Sequence, residues 1–189
     1  MKKVLFLAAV LALFSIKAYS QTYGQGAFGD IGSGVTIPVG EITNGWGIGY
    51  NLNVNAGYVF HPIIAARVDI QYNSFSRKGD IETGFTGYGL KTTTFMADVM
   101  LGKFDKSDVK PYALVGAGIF ISSLKDTDYQ GEAYYENSNR TEFGMKLGAG
   151  VKIKVGSKVS LFTESSYNII FAENTAIYVP VKIGAAIGF

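Results

Sequence analysis

The sequence predicts an all-β fold, an eight-stranded antiparallel up-and-down transmembrane β-barrel. Three observations support this prediction: apolar residues recur with a period of two, Gly accounts for 24 of the 189 residues, and charged residues make up only 17%. The Gly share is well above that of ordinary soluble domains, and the charged share is below it. A chain of this length is expected to form one domain.

The period-two pattern is clearest in two segments. In residues 50–60 an apolar or aromatic face alternates with Asn and Gly, and in residues 143–155 an apolar face alternates with Gly and Lys. Strict alternation is typical of a β-strand with one apolar and one polar side. Applied to the whole chain, the pattern predicts eight strands, at about residues 26–38, 46–60, 64–76, 88–103, 110–123, 141–155, 158–170 and 176–189.

The predicted connections alternate in length. Those at 61–63, 104–109 and 156–157 are short, whereas the segments at 77–87 and 124–140 are long and polar. Short turns at one end and long loops at the other are typical of an up-and-down barrel.

One residue in the last predicted strand does not fit a regular ladder. Pro180 has no amide hydrogen, so it cannot donate to a neighbouring strand. We expect it to weaken or bulge the strand near its loop end.

The composition of the two faces favours a membrane barrel over a soluble β-sandwich. A sandwich would carry most of its charges on the polar face, whereas here that face is mainly Gly, Ala, Ser and Asn. Small residues fit the narrow interior of an eight-stranded barrel, whose apolar side then faces lipid. Aromatic residues are expected in two interfacial girdles, with Tyr58, Phe60, Tyr112 and Phe189 toward the short turns and Tyr50, Tyr72, Phe143 and Tyr167 near the long loops.

The first twenty residues have the features of a secretory signal peptide. Two lysines precede an apolar run from Val4 to Phe14, and Ala18 and Ser20 are the small residues expected before a cleavage site. The run is too short to span a bilayer as a helix. We therefore expect residues 1–20 to be removed and residues 21–189 to form the barrel domain.

Loss of this segment changes the charge balance. The full sequence has 17 basic and 15 acidic residues, and removal of Lys2, Lys3 and Lys17 leaves 14 basic and 15 acidic ones. No dense basic cluster remains, so we expect no nucleic-acid partner.

The sequence contains no Cys and one His, His61. The absence of Cys excludes disulfide scaffolds, thiolate zinc sites and catalytic thiols. His61 lies in a predicted short turn with no Ser and carboxylate at a recognisable spacing, which argues against a lipid hydrolase or acyltransferase. We therefore expect no enzyme activity, no catalytic residues and no cofactor.

Two motifs resemble ligand sites but lack the necessary context. The segment Gly24–Gly29 fits a dinucleotide fingerprint without the strand and helix that should flank it. Asp126–Glu132 resembles the start of a calcium loop, but Asn137 stands where a carboxylate is needed at position twelve. We interpret the first as part of a strand and the second as a solvated acidic loop, which leaves no predicted metal site; weak calcium binding by the loop stays open.

Three segments carry a family resemblance that covers the whole mature chain. Lys110–Gly118, Gly148–Lys152 and Val181–Phe189 resemble the outer-membrane protein β-barrel domain family, which includes small eight-stranded barrels of the OmpA, OmpX and OmpW type. The resemblance implies location in the cell outer membrane of a Gram-negative envelope, in contact with its lipid. It also implies that Phe189 is a C-terminal signal recognised by the barrel assembly machinery.

Charged residues on the polar face form the one constellation with a predicted role. Unpaired buried charge is costly, so we expect these residues to pair across the lumen and plug it. The alternative is a charged selectivity ring, which eight strands leave little room for. The residues of this predicted lumen network are Arg67, Asp69, Asp98, Lys146, Lys152, Glu164 and Lys182.

These observations leave two functions open. The first is a non-enzymatic envelope protein whose barrel supports structure or carries loops 77–87 and 124–140 for an extracellular partner. The second is a narrow conduit for small or apolar solutes, which would need an open lumen or a lateral gap. The sequence does not identify a ligand.

Overall fold

The computed structural model describes residues 26–76, 85–87, 90–124, 127–129, 132–133, 138–173 and 175–188. It contains a closed antiparallel barrel of eight strands, which confirms the predicted fold. The barrel strands, in their order around the barrel, are β1 (Gly26–Val39), β2 (Gly49–His61), β3 (Ile64–Ser74), β5 (Lys91–Gly102), β6 (Val109–Leu124), β9 (Ser138–Lys154), β10 (Val159–Ile170) and β11 (Ala176–Ile187). β11 pairs with β1 and closes the ring.

The long connections contain structure that the sequence pattern did not predict. Three short strands, β4 (Phe85–Gly87), β7 (Thr127–Tyr129) and β8 (Glu132–Ala133), form a small sheet in the order β4-β7-β8. This sheet joins the β3–β5 connection to the β6–β9 connection. The two predicted loops therefore contact each other at the same end of the barrel.

The short connections lie together at the opposite end. The β5–β6 turn is stabilised locally by the backbone amide of Ser107, which donates to Oδ1 of Asp105 at 2.9 Å. Hydrogen bonding from Ser107 holds the pKa of the Asp105 carboxyl below its ordinary value. The connection between β1 and β2 lies at the long-loop end and contains a 3₁₀ turn, Gly40–Asn44. It starts at Gly40, whose φ of 72° is in the region that favours glycine.

The outer face of the barrel is apolar along every wall. Ile31, Leu147 and Ile183 are each about two-thirds exposed, at 66%, 65% and 65%, although all three lie in the middle of strands. Such side chains would be unfavourable in water and are expected on a lipid-facing surface. Within the described residues, no helix is long and apolar enough to cross a membrane.

Pro180 interrupts one ladder without shifting its register. On the β1 side it is paired opposite Thr36 in an unbroken series. On the β10 side the pairing stops at Ser165–Val181 and resumes at Asn168–Tyr178, with the same register on both sides. The pairing of β11 with β10 is therefore interrupted locally, and the strand is not bulged at this point.

Several predicted features lie outside the described residues. These are the signal peptide, Phe189, Asp126 in the acidic loop, and the first two residues of the Gly24–Gly29 motif. The remaining residues of that motif open β1, which continues as a strand to Val39. The dinucleotide-binding arrangement of strand, glycine turn and helix is therefore not formed there.

Candidate functional site

The seven residues of the predicted lumen network all lie inside the barrel and are almost fully buried. None of them is more than 3% exposed. They come from five different strands: β3, β5, β9, β10 and β11. Six of them have apolar sequence neighbours that face outward, and Glu164 lies between Thr163 and Ser165, where the alternation along β10 still places it inward.

Strand register creates two ion pairs on opposite walls. Arg67 of β3 is directly opposite Asp98 of β5, and its Nε donates to Oδ2 at 2.8 Å. Glu164 of β10 is directly opposite Lys182 of β11, with Nζ and Oε1 2.7 Å apart. Each pair follows from antiparallel pairing of neighbouring strands.

Arg67 and Glu164 join these two walls across the lumen. Nη1 and Nη2 of Arg67 lie 2.8 Å from Oε2 and Oε1 of Glu164, which is a bidentate arrangement. β3 and β10 are four strands apart in a ring of eight, so the pair spans the diameter of the barrel.

Lys146 extends the network to further carboxylates. Its Nζ lies 2.5 Å from Oδ2 of Asp69 and 2.7 Å from Oδ2 of Asp98. Lys182 also approaches Asp69, at 3.8 Å. With its amide nitrogen turned toward Asp69, Asn55 donates to that carboxylate and accepts from Nη1 of Arg67 at 3.2 Å.

Two further residues complete the network, and the sequence analysis missed both. Nζ of Lys152 lies 2.9 Å from each oxygen of Asp30, and Asp30 in turn is 3.9 Å from Nη1 of Arg67. The hydroxyl of Tyr112 donates to Oε2 of Glu164 at 2.8 Å. With Asp30 included, four cations face four carboxylates, so this network is electrically neutral.

The position of Tyr112 corrects the predicted aromatic girdle. Tyr112 is only 4% exposed and points into the lumen. It shares its face of β6 with Lys110, Leu114 and Phe120, all of them buried, while Pro111 and Ala113 face outward. Among the other predicted girdle residues, three face outward and are more than half exposed: Tyr50 at 53%, Phe60 at 56% and Phe143 at 54%.

Apolar layers lie above and below the charged network. The layer at the short-turn end consists of Phe28, Val59, Ala65, Met100, Phe104, Tyr112 and Leu114. The layer at the long-loop end consists of Phe75, Met96, Phe120, Ile170 and Tyr178. Lys152 connects the lower layer to the charges, because its Nζ lies 4.1 Å from the centre of the Phe28 ring.

Lumen glycines make room for large buried side chains. A Cβ on Gly32 would lie 2.7 Å from Cζ of Phe162, and one on Gly150 would lie 2.6 Å from Cζ of Tyr112. Gly116 makes room for the charged network in the same way, because a Cβ on Gly116 would overlap Oδ1 of Asp98. The high Gly content of the chain is therefore partly a packing requirement of a filled eight-stranded lumen.

The lumen arrangement is that of a neutral packed interior, with each charge held by partners of opposite sign. Within the described ranges, no group of three or more His, Cys, Asp or Glu side chains has the arrangement of a metal site. His61, the only imidazole, ends β2 at the short-turn end and is exposed.

A cavity of about 230 Å³ opens at the long-loop end, next to the apolar layer at that end. Phe75, Ile170 and Tyr178 line its apolar part, and Arg140 and Glu142 line its polar part. The rings of Phe75 and Tyr178 meet edge to face, with their centres 5.3 Å apart, and separate this cavity from the charges below.

The sequence matches a family model described as outer membrane protein beta-barrel domain over residues 6–187. No curated protein matches the chain significantly. Solved structures of outer-membrane barrels match it across nearly their whole length. Neisserial surface protein A has a TM-score of 0.63 and 17% identity, with 86% of this chain and 97% of that one covered.

Two further structures show the same likeness. OprG of Pseudomonas aeruginosa has a TM-score of 0.63 and 12% identity, with 86% of this chain and 95% of that one covered. Ail, the attachment invasion locus protein of Yersinia pestis, has a TM-score of 0.55 and 15% identity, with 86% and 99% covered. At these identities the likeness establishes the shared barrel fold.

Proposed function

The chain belongs to the outer membrane protein beta-barrel domain family, and from that premise we propose that it is a non-enzymatic, sealed barrel of the outer membrane. In this proposal the barrel is a stable support for the segments at its long-loop end. Those segments act outside the cell, in envelope structure or in contact with an extracellular partner. The family and the structural neighbours point to the outer membrane as its location.

The filled lumen is the observation that carries the proposal. A continuous path for water or ions would have to pass two apolar layers and a charged layer in which Arg67 and Glu164 meet across the full diameter. Breaking such a buried pair to admit a solute would leave uncompensated charge in a low-dielectric interior. The interior therefore resembles a packed protein core more than a channel.

The long-loop end supports the second part of the proposal. β4 and β7 pair through Phe85–Tyr129, Thr86–Asp128 and Gly87–Thr127, so the two longest connections are joined. An extracellular partner of loops 77–87 and 124–140 would then meet two connections that β4 and β7 join. These connections extend from a barrel whose eight strand pairs form a closed ladder.

The nature of that partner follows partly from charge. One neighbouring structure is Ail in complex with the heparin analogue sucrose octasulfate. In this chain the connections at the long-loop end contain more acidic than basic residues. A polyanion is therefore a poor electrostatic match, and we propose a neutral or cationic partner surface.

Planar-bilayer recording of the purified barrel tests the sealed lumen. We expect no steady unitary conductance above that of the protein-free bilayer, with an open porin as the positive control. Liposome swelling with small sugars should give the same result. Reproducible single-channel steps from the folded barrel would contradict the proposal.

A narrow conduit for small or apolar solutes is the second candidate, and the cavity at the long-loop end favours it. An apolar solute of modest size would fit a volume of about 230 Å³ beside Phe75 and Tyr178. It would still need a lateral exit through the wall, because the charged layer lies beneath. Uptake of an apolar solute into proteoliposomes at a rate above that of protein-free liposomes would favour the conduit.

A further inference from the structure

Four exposed lysines form a basic patch on two turns at the short-turn end. We use the term basic patch for Lys103, Lys106, Lys154 and Lys158. The β5–β6 turn and the β9–β10 turn are neighbours because β6 pairs with β9, where Val109 is opposite Ile153. The backbone amide of Lys154 also donates to the carbonyl of Asp108 at 2.7 Å, which fixes the two turns together.

Positive charge dominates this part of the surface. Lys110 lies buried beneath the patch, and the carboxylates in the two turns are Asp105 and Asp108. Among the described patch residues, the ion pair is that of Lys103 with Asp105. Its Nζ–Oδ2 distance is 3.9 Å and both side chains are exposed, so the pair reduces the positive potential of the patch only slightly. The third short turn, Pro62–Ile63, carries no charge. The patch therefore occupies one side of the barrel end.

With residues 1–20 set aside, the charges of the sequence are divided unevenly between the segments that belong to the two ends of the barrel. The lumen network is neutral, with four residues of each sign. The turn end has five basic and two acidic residues, whereas the connections and strand ends at the long-loop end have nine acidic and five basic ones. The acidic ones are Glu41, Asp80, Glu82, Asp126, Asp128, Glu132, Glu136, Glu142 and Glu173, and the basic ones are Arg77, Lys78, Lys91, Lys125 and Arg140.

The position of the basic patch relative to the lipid bilayer indicates which chemical groups it can bind. Apolar side chains that face lipid lie directly beside the lysines: Val109, Ile153 and Val155 are 52%, 47% and 56% exposed. The lysines therefore lie where the apolar belt of the barrel ends, at the level of lipid headgroups. Lysine stems can follow the apolar surface while the ammonium groups reach the headgroup phosphates.

We propose that the basic patch binds the phosphate groups of anionic phospholipids in the leaflet that faces the periplasm. Short turns lie on the periplasmic side in barrels of this architecture, where phospholipid headgroups are the adjacent anions. Anionic lipid recognition by clustered lysines is an electrostatic effect that salt weakens. The proposal does not depend on whether the lumen conducts, so the two can fail separately.

A fluorophore beside the patch provides the test. The chain has no Cys, so Ser157→Cys in the β9–β10 turn gives a unique labelling site between Lys154 and Lys158. The labelled barrel is reconstituted in phosphatidylcholine vesicles that contain either brominated phosphatidylglycerol or brominated phosphatidylcholine. Quenching at low salt should show about fivefold or more stronger association with the anionic lipid, the factor expected for one lysine near such lipids.

Matched variants separate this proposal from nonspecific attraction. The quadruple variant with Gln at all four patch positions should lose the preference, the corresponding Arg variant should keep it, and Lys91→Gln at the other end should leave it unchanged. A fluorophore at Thr175→Cys, at the long-loop end, should show no preference. Heat-modifiable migration in gels verifies folding of every variant.

The outcomes decide between the sources of phosphate. Inorganic phosphate at matched ionic strength should not displace the lipid, because binding requires several headgroups held in a plane. Equal quenching by both brominated lipids, or an unchanged preference in the quadruple Gln variant, would overturn the proposal. Displacement by inorganic phosphate would also overturn it, since the patch would then be a site for free anions.

Discussion

The guanidinium of Arg67 and the carboxylate of Glu164 form two contacts of 2.8 Å across the full diameter of the barrel. Each residue also has a partner fixed by strand register, Asp98 for Arg67 and Lys182 for Glu164. The cross-lumen pair therefore links two walls that the backbone ladder connects only around the circumference. This relation makes stability depend on charge balance in the lumen.

Removal of either member of this pair should destabilise the barrel strongly. We expect Arg67→Met or Glu164→Met to lower the free energy of unfolding by about 3–5 kcal/mol, because each leaves an uncompensated buried charge. The double variant removes one charge of each sign and restores neutrality. The decrease in free energy of unfolding for the double variant should be clearly smaller than the sum of the decreases for the two single variants. Urea unfolding of the barrel in lipid vesicles measures all three.

An exposed ion pair is the control for this cycle. Lys103→Met should change the free energy of unfolding by less than about 1 kcal/mol, because its pair with Asp105 is solvated. Additive losses for Arg67→Met and Glu164→Met would contradict the proposed coupling across the lumen.

The lipid-facing side of β9 offers a second prediction that depends on depth. Leu147 lies in the middle of the strand, whereas Val151 is three residues from its short-turn end at Lys154. We expect Leu147→Arg to cost about 2–4 kcal/mol and Val151→Arg less, since the cost of a charge falls toward the interface. Ser157→Arg, in the turn beyond, should cost little.

The two faces of the same strand can be distinguished directly. A label on Val151→Cys should be quenched by lipid-soluble quenchers, and a label on Lys152→Cys should not, because Lys152 is buried in the lumen. Equal quenching at the two positions, or labelling of Val151→Cys by water-soluble reagents in the intact barrel, would contradict the assignment of the faces.

The eight strands were predictable from sequence because alternation is a local property. Each strand of the barrel begins and ends within about three residues of its predicted range. Alternation alone puts Lys146 and Lys152 of β9 on the same face as Gly148 and Gly150. Pro180 was likewise predictable, since the missing amide hydrogen affects the ladder wherever the strand lies. The short strands β4, β7 and β8 were not, because they depend on contact between two separate connections.

Two members of the network were missed for a common physical reason. Asp30 shares its face with Phe28, and Tyr112 was itself assigned to a girdle near the short turns. An aromatic ring fits an interfacial girdle and an apolar lumen layer equally well, so its identity does not reveal its face. Lys110, Tyr112 and Leu114 are alternate residues of β6, so they lie on the same face of the strand. This pattern would have placed Tyr112 inside the barrel.

The partners across the lumen could not be predicted from sequence. Arg67 and Asp98 are register neighbours, but contact between Lys152 and Asp30 depends on the stagger of strands β9 and β1 around the ring. That stagger is a property of barrel closure and not of any one strand.

Gly116 leads to a second prediction about the network. A Cβ at this position would overlap the Asp98 carboxylate, while its next nearest contact, the carbonyl of Ala97, lies at 3.1 Å. We expect Gly116→Ala to push Asp98 away from Arg67 and Lys146 and to cost about 1–3 kcal/mol in the free energy of unfolding. The same substitution in an Asp98→Ala background should cost much less, which urea unfolding of the four variants would measure. An equal cost in both backgrounds would mean that backbone crowding is responsible.

Pro180 leads to the last prediction, in which local and global stability should respond differently. Pro180→Val supplies an amide donor where the β10–β11 ladder is interrupted, between the pairs Ser165–Val181 and Asn168–Tyr178. A new hydrogen bond contributes about 0.5–1.5 kcal/mol. Loss of the proline ring costs about 0.4–1 kcal/mol, because the unfolded chain gains conformational freedom.

These opposing effects nearly cancel in the whole molecule but not in the ladder. We therefore expect the free energy of unfolding to change by less than about 1 kcal/mol, while amide exchange at Ser166, whose position is opposite residue 180, becomes slower. Amide exchange at Phe162, opposite Gly184 in the continuous part of the same ladder, is the internal control and should not change. Unchanged exchange at Ser166 would show that the missing proline donor is not what interrupts the pairing, and that side-chain packing in the lumen keeps the two strands apart there.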